Sequence, residues 1–473
     1  MSRAEPSSAS KLVNDWWPIL AMGLLLFTVD AIPYSIELFI YFFSLALITY
    51  HFFEKSLRIA YLARLILFVL VGSYAYAVKL ISADTYFSVF EFSTQRVEIA
   101  RKMFALTLIG VPFCYAGLIY GERIRSKPLS LTDFYEFSFY QNVSFLFGLV
   151  TTGSVILLTQ AISKGSILQG AYGGTIDGTS LPLGGINTLA GLGTVIMLYW
   201  SIKTSRIIYW VSFFLVTAYY LVSCLVLRGL RQDMASLLFC LFVCFYTLKY
   251  KEFKFKWRYV GYLLPVLVLF EFFGIVRSGL SQWVHGNIPF SEVLTIGLGN
   301  ANYSDVVYSG TLGPISTTLA NAIDGIFYSS TPITLGKGYF DYFARLAPEI
   351  LSPHRPEDYA HFFKNVYSSG GGVFEIAEAI INFGLLGAMV MPFIFSVIYS
   401  YIYKNFENFK TLYWTILAGA LLCVFLRGSW YQTFAYIKAL EIGFFICLLH
   451  HFTLAVFRYG LIPLFKNTDH DPA

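Results

Sequence analysis

Charge is what this chain has least of. Only 13% of its 473 residues are charged while 57% are apolar, and a water-soluble domain of this size carries about 25% charged residues. The shortfall excludes an ordinary soluble globular chain. Most side chains must face lipid or other helices. The net charge of +5 is scattered among short loops and not gathered on one stripe, which excludes nucleic acid as a partner. Cysteine is scarce too. Cys114, Cys224, Cys240, Cys244, Cys423 and Cys447 all lie inside apolar runs, so neither a structural disulfide nor a metal-thiolate site is expected. Cys240 and Cys244 are one helical turn apart but have no His or carboxylate nearby to complete a ligand set. No cofactor motif is present: Gly336-Lys337-Gly338-Tyr339 lacks the GxxxxGK[ST] pattern of a phosphate-binding loop. There is no internal repeat, which argues against a transporter. The first residues, ending in Trp16-Trp17, have no apolar stretch ahead of a small-residue cleavage site and read as a polar tail, not a signal peptide.

Apolar runs of spanning length are what the chain has. They cover 17–32, 36–53, 59–81, 104–120, 143–162, 184–202, 207–227, 234–248, 259–276, 373–403, 412–426 and 436–457. A crossing needs about 20 such residues, so the runs predict an all-α polytopic membrane protein of about 12 transmembrane helices. The abundant Phe and Tyr, 46 and 34, suit the aromatic belts at both interfaces. Three parts follow: helices 1–9 over 1–276, one large non-apolar loop over 277–370, and helices 10–12 with a short tail over 371–473. Within the loop, 339–350 mixes aromatic, apolar and charged residues, as an amphipathic helix lying on a membrane does. Basic residues orient the spans. With the first residues inside, every inside segment holds at least two basic residues, and Lys249, Lys251, Lys254, Lys256 and Arg258 crowd one of them. Both termini are then cytoplasmic and the large loop faces outward.

Unusual ionisable residues collect on that outer side. Arg228 and Arg231 sit in a short turn after the seventh span, three apart and so on one helical face. Arg277 opens the large loop, Arg345 lies within it, and Arg427 ends the eleventh span. A guanidinium donates two parallel hydrogen bonds to phosphate, and an arginine at membrane depth needs a cavity or a partner. The same residues could instead anchor the interface by snorkelling. The tenth span begins with Gly370-Gly371-Gly372 and carries Glu375, Glu378 and Asn382 at a spacing that shares one face. Polar groups on an apolar helix are expensive and should face inward. Capping of the helix dipole accounts for Glu375 alone. In the loop, Ser352 to His361 concentrates His354, His361, Arg355, Glu357 and Asp358. A histidine there is either a general base or part of a solvated loop.

These features resemble the Wzy-type O-antigen polymerases, which polymerise oligosaccharide repeat units. The similarity is carried by Gly370-Gly371-Gly372, Glu378, Asn382-Phe383-Gly384 and Gly387, by Arg231 in its Gly-x-Arg turn, and by a dozen spans with one large outer loop. The chain departs at Ile380, where the family often has an aromatic. The resemblance implies a glycosyltransferase of the bacterial inner membrane with its active face in the periplasm. It would transfer a growing chain from one undecaprenyl-diphosphate-linked oligosaccharide, the donor, to another, the acceptor, without cofactor or metal. A chain-length regulator protein would be its partner besides the bilayer. Glu378, His354 and His361 become the candidate catalytic residues. Arg228, Arg231, Arg277, Arg345, Arg427, Glu375 and Asn382 become the candidate substrate ligands. An O-antigen ligase shares the layout. A flippase for the same lipid-linked sugar is the alternative from another class, and it predicts two similar halves that are not seen. Transferases using polyprenyl-phosphate sugars place paired acids in a sizeable first outer loop, where this chain has only Asp30 and Glu37.

The orientation has a direct test. An impermeant thiol reagent applied to intact cells should label Ser281→Cys and leave Lys254→Cys unlabelled. The reverse pattern overturns the outward placement of the large loop.

Overall fold

A computed structural model describes residues 8–29, 32–54, 58–81, 98–126, 138–162, 183–226, 231–250, 282–283, 288–299, 312–346, 356, 362, 366, 373–430 and 432–457. Every regular element among them is helical. They are α1 Ser8–Thr28, α2 Tyr34–Glu54, α3 Ile59–Ile81, α4 Glu98–Arg123, α5 Ser138–Ile162, α6 Leu183–Thr204, α7 Ile207–Tyr220, α8 Arg231–Lys249, α9 Val293–Gly299, α10 Leu312–Phe327, α11 Lys337–Ala344, α12 Glu375–Phe383, α13 Leu385–Phe409, α14 Leu412–Cys423, α15 Phe425–Trp430 and α16 Phe434–Val456. Two short turns add to them, a π-type turn over Leu221–Val226 after α7 and a 3-10 turn over Phe290–Glu292 before α9.

Eight of the described helices are long and apolar enough to cross a membrane, and three apolar segments are shorter: Trp16–Thr28, Ile59–Tyr74 and Leu412–Cys423. The protein is therefore an all-helical, polytopic membrane-type bundle over its described residues. Only helices satisfy their own backbone groups without water. The expected ninth span, 259–276, lies outside the described residues.

α4 forms the axis. It packs along α13 through glycines whose missing side chains admit the neighbouring backbone. A Cβ on Gly117 would lie 2.3 Å from the Phe393 carbonyl oxygen, and one on Gly121 would lie 2.5 Å from that of Val397. Small residues give helices in membranes their close approach. α4 also packs on α1 and α3, while α6 packs on α5, α8, α14 and α16. One end of the bundle is basic: Arg58 pairs with Glu122 at 2.8 Å and Glu407 at 2.7 Å, and Lys410 Nζ donates to the Tyr250 carbonyl at 2.9 Å.

The expected tenth span, 373–403, is two helices. At Gly384, φ is +61°, a backbone conformation that side chains disfavour. The chain doubles back there, so that a Cβ on Gly387 would lie 2.0 Å from the Ala379 carbonyl oxygen. α12 and α13 are thus the arms of a hairpin. Gly110, halfway along α4, receives the Ile376 side chain, its notional Cβ lying 3.1 Å from Ile376 Cδ1. The start of α12 is therefore at mid-bundle. The expected eleventh span also breaks, at Val424 between α14 and α15.

Within the large loop expected over 277–370, α10 packs into the bundle. Ile315, Leu319, Ala322 and Ile323 form a buried apolar stripe at helical spacing. α10 packs on α3, α4 and α12. Its end meets Phe27 through Phe327, at 5.2 Å between rings, and Tyr328 donates to Glu98 at 3.1 Å. At 16 residues it is too short to register as a crossing, and its polar face hides it from a hydropathy count. The amphipathic helix expected over 339–350 is α11, with Gly338, Tyr339 and Tyr342 buried and Phe340 and Phe343 exposed.

The hairpin makes Gly387 intolerant. Gly387→Ala should lower stability by about 1–3 kcal/mol through overpacking, read as an earlier thermal unfolding of the detergent-solubilised protein. Gly153, whose Cβ would meet nothing within 4 Å, is the control: Gly153→Ala should melt no earlier than wild type.

Candidate functional site

Three polar side chains of α12, Glu375, Glu378 and Asn382, are completely buried. The sequence places them on one helical face, and the hairpin ties each to different elements. It also sets their depth opposite to that of an unbroken span entering from the outer side, in which Glu378 would lie deeper. Glu375 starts α12 at mid-bundle, and Glu378 lies one turn nearer the Gly384 end.

Asn382 closes the end of α12. Its Oδ1 accepts from Thr334 Oγ1 at 2.9 Å and from the Gly338 N–H at 3.1 Å, and its Nδ2 donates to the Glu378 carbonyl at 2.9 Å. The Thr334 and Gly336 N–H groups donate to the Ile381 and Asn382 carbonyls, at 3.0 and 3.2 Å. These are the carbonyls a helix end leaves unpaired. Asn382 therefore holds the segment leading into α11.

Glu378 is the convergence point. Its Oε1 accepts from the Tyr342 hydroxyl of α11. Its Oε2 accepts from the Thr433 N–H at 3.0 Å and the Thr433 hydroxyl at 2.8 Å, immediately before α16. Gln432 Nε2 donates to the Tyr342 oxygen at 3.2 Å. Burial first, then the Glu378 carboxylate, push the Tyr342 phenol well above its ordinary range, so it stays a donor. A buried carboxylate is tolerated because donors surround it.

Among the described residues Glu375, not Glu378, has an arginine partner. Its Oε1 accepts from Arg64 Nη2 at 2.7 Å, and both side chains are buried, at 0% and 1% exposure. Dipole capping therefore does not account for it. Arg64 of α3 belongs to no sequence motif. The signal was present, since an arginine inside the apolar run 59–81 demands a partner.

Cationic side chains lie on the elements that supply the partners of Glu378 or adjoin them. Arg345 follows α11 with its guanidinium carbon 6.0 Å from the Phe434 ring centre, at the edge of cation–π range. Arg427 of α15 is 41% exposed, its Nη1 3.7 Å from Asp233 Oδ2. Asp233 also accepts from Asn187 Nδ2 at 2.8 Å. The Gln432 N–H donates to the Arg427 carbonyl at 3.1 Å, which links this arginine to the Glu378 network. Lys438 of α16, also missed in the sequence, donates to the Leu346 carbonyl at 3.2 Å and pairs with Glu441 at 2.7 Å. Arg231 opens α8, but its side chain lies outside the described residues, as do Arg228, Arg277, His354 and His361. Among the described residues no cluster of three or more His, Cys, Asp or Glu could hold a metal.

The set combines an enclosed carboxylate, a protonated phenol and an exposed guanidinium, at the end of the bundle away from Arg58 and Lys410. It can bind an anion at Arg427 and handle a proton at Glu378. No family model matches the chain, and no curated protein or solved structure matches it either.

Tyr342→Phe removes a donor to a buried carboxylate and should cost about 1–3 kcal/mol of stability. Phe343→Tyr, at a position 62% exposed, should change it by less than about 0.5 kcal/mol. Thermal unfolding of the two variants checks the difference.

Proposed function

We propose that the protein polymerises undecaprenyl-diphosphate-linked oligosaccharide repeat units of a bacterial surface polysaccharide, O-antigen or a related polymer. It works as a glycosyltransferase of the inner membrane, crossing about twelve times with both termini cytoplasmic and the site facing the periplasm. The observation that carries this reading is Glu378: a fully buried carboxylate on a membrane hairpin arm, joined to α11 from the large non-apolar stretch and to α16. A lipid carrier keeps its diphosphate at the membrane boundary and its sugar in water. A transferase for it needs charged groups at that boundary, on the face away from the basic end.

The chemistry follows from the residue types. Arg427 and Arg345, with Arg228, Arg231 and Arg277, which the basic-residue pattern assigns to the outer side, hold the donor diphosphate and stabilise it as it leaves. The acceptor hydroxyl attacks the anomeric carbon. The bond from that carbon to the diphosphate breaks, a glycosidic bond forms, and the hydroxyl proton passes to a carboxylate. Glu378 takes the proton when the acceptor hydroxyl displaces the Tyr342 hydroxyl from Oε1. Asn382, Thr334 and Gly338 keep α11 in place meanwhile. A chain-length regulator would contact the same outer face.

Deletion of the gene in its host decides between enzymes. Surface polysaccharide with one repeat per core means polymerase, and loss of all core-attached polysaccharide means ligase. Restoring the gene as Glu378→Gln should leave polymer at the deletion level at wild-type protein abundance, since a general base contributes about 10²–10⁴ in rate. Normal polymer from that variant removes Glu378 as the base and leaves His354 or His361.

A further inference from the structure

We propose that Arg64 is a positioning residue: its guanidinium joins α3, α12 and α13 and thereby holds Glu378 in register with Tyr342 and Thr433. The inference rests on the functional reading of Glu378 for its kinetic arm alone.

The geometry is a two-armed clamp. Arg64 Nη2 donates to Glu375 Oε1 at 2.7 Å, and Arg64 Nε donates to Ser396 Oγ at 2.9 Å. Glu375 is on one arm of the hairpin and Ser396 on the other. One planar group therefore sets the spacing of the arms, at the level farthest from the Gly384 turn. Around it the rings of Phe68, Tyr399 and Tyr436 lie 5.4, 5.8 and 5.7 Å from the guanidinium carbon, so the clamp is walled off from water. Tyr436 continues the chain of contacts: its hydroxyl meets Ser429 Oγ at 2.6 Å and donates to the Phe425 carbonyl at 3.0 Å. That fixes α15 and the start of α16, where Thr433 grips Glu378.

α12 depends on this clamp more than a longer helix would. It has nine residues, and no side chain caps its first turn. Its far end is fixed by Asn382 and the turn. Its near end has Glu375, whose Oε2 makes no hydrogen bond among the described residues, so Arg64 is the partner that anchors this carboxylate. Glu378 sits one turn from Glu375. A tilt of the unanchored end moves Glu378 directly, whereas α13, packed along the whole of α4, stays in place. Lysine keeps the charge but has no second donor arm to reach Ser396.

The test uses the full chain in lipid nanodiscs, with two readouts on Arg64→Lys and on the double variant Arg64→Met with Glu375→Met. Amide hydrogen exchange across 374–383 should accelerate by about tenfold or more in both variants, while exchange across 385–409 stays at the wild-type rate. Turnover of lipid-linked repeat units should fall about a hundredfold, as a small misplacement of a reacting group does, with KM unchanged. Wild-type exchange across 374–383 in Arg64→Lys overturns the proposal. So does a raised KM with intact turnover, which would put Arg64 in contact with substrate. Full turnover in the charge-free double variant overturns it as well. Should the wild-type protein extend no lipid-linked units, the functional reading fails, and hydrogen exchange alone decides the role of Arg64.

Discussion

A buried ion pair organises this bundle. Arg64 and Glu375 meet at mid-bundle, where neither charge reaches water. Removing two charges from water costs more than their attraction returns unless the remaining donors and acceptors are also placed. That condition explains the company the pair keeps: Ser396 on the guanidinium, three aromatic rings around it, and a helix that begins where the carboxylate must be. Hydrophobic packing alone would leave α12 free to slide, because lipid and helix are equally apolar. A charge pair has one register. The same logic recurs between α2, α3 and α4, where Glu37 accepts from Tyr76 at 2.6 Å and from Arg101 at 3.3 Å. A polar contact that is not an ion pair ties two more helices near the basic end, where His450 Nε2 lies 2.7 Å from Ser144 Oγ. The first and last of these contacts join residues more than 300 positions apart in sequence.

Breaking helices is the second consequence. An unbroken span satisfies its own backbone but presents side chains only along one cylinder. The hairpin at Gly384 and the break at Val424 bring α12, α15 and the start of α16 end to end, so that backbone donors become available. Thr433 uses its N–H on Glu378. The N–H of Leu426, freed by the second break, donates to Ser236 Oγ at 3.2 Å. Irregular backbone inside a membrane is tolerated only where protein or a cavity lines it. Here α11 and the segment before it cover the hairpin, with Gly336 in a left-handed conformation against Phe383.

Much of this was legible in the residues, and the illegible part has physical causes. Apolar runs give the membrane class and the positions of the long helices, because length and hydropathy are local properties. The tenth-span motif is also legible: Glu375, Glu378 and Asn382 are all inward and buried, as the expense of polar groups on an apolar helix requires. What no window reveals is the direction of the arm that carries them. Gly384 reads as one member of a motif, yet its positive φ reverses the chain and exchanges the depths of Glu375 and Glu378. α10 escapes because half of its face is polar. Arg64 escapes because its partners lie more than 300 positions later in sequence.

The two acids of α12 differ in their partners. Glu375 holds an arginine and is walled in by aromatic rings, so its charge serves position. Glu378 holds hydroxyls, which exchange partners more readily than a guanidinium in a salt bridge. Tyr342 sits on one short helix, α11, whose Phe340 and Phe343 are exposed, and the proposed reaction requires it to leave Oε1. A carboxylate that is to accept a proton must be both shielded and releasable. In the proposed reaction, a fixed charge one turn below would supply the shielded scaffold and a phenol on a short helix the release.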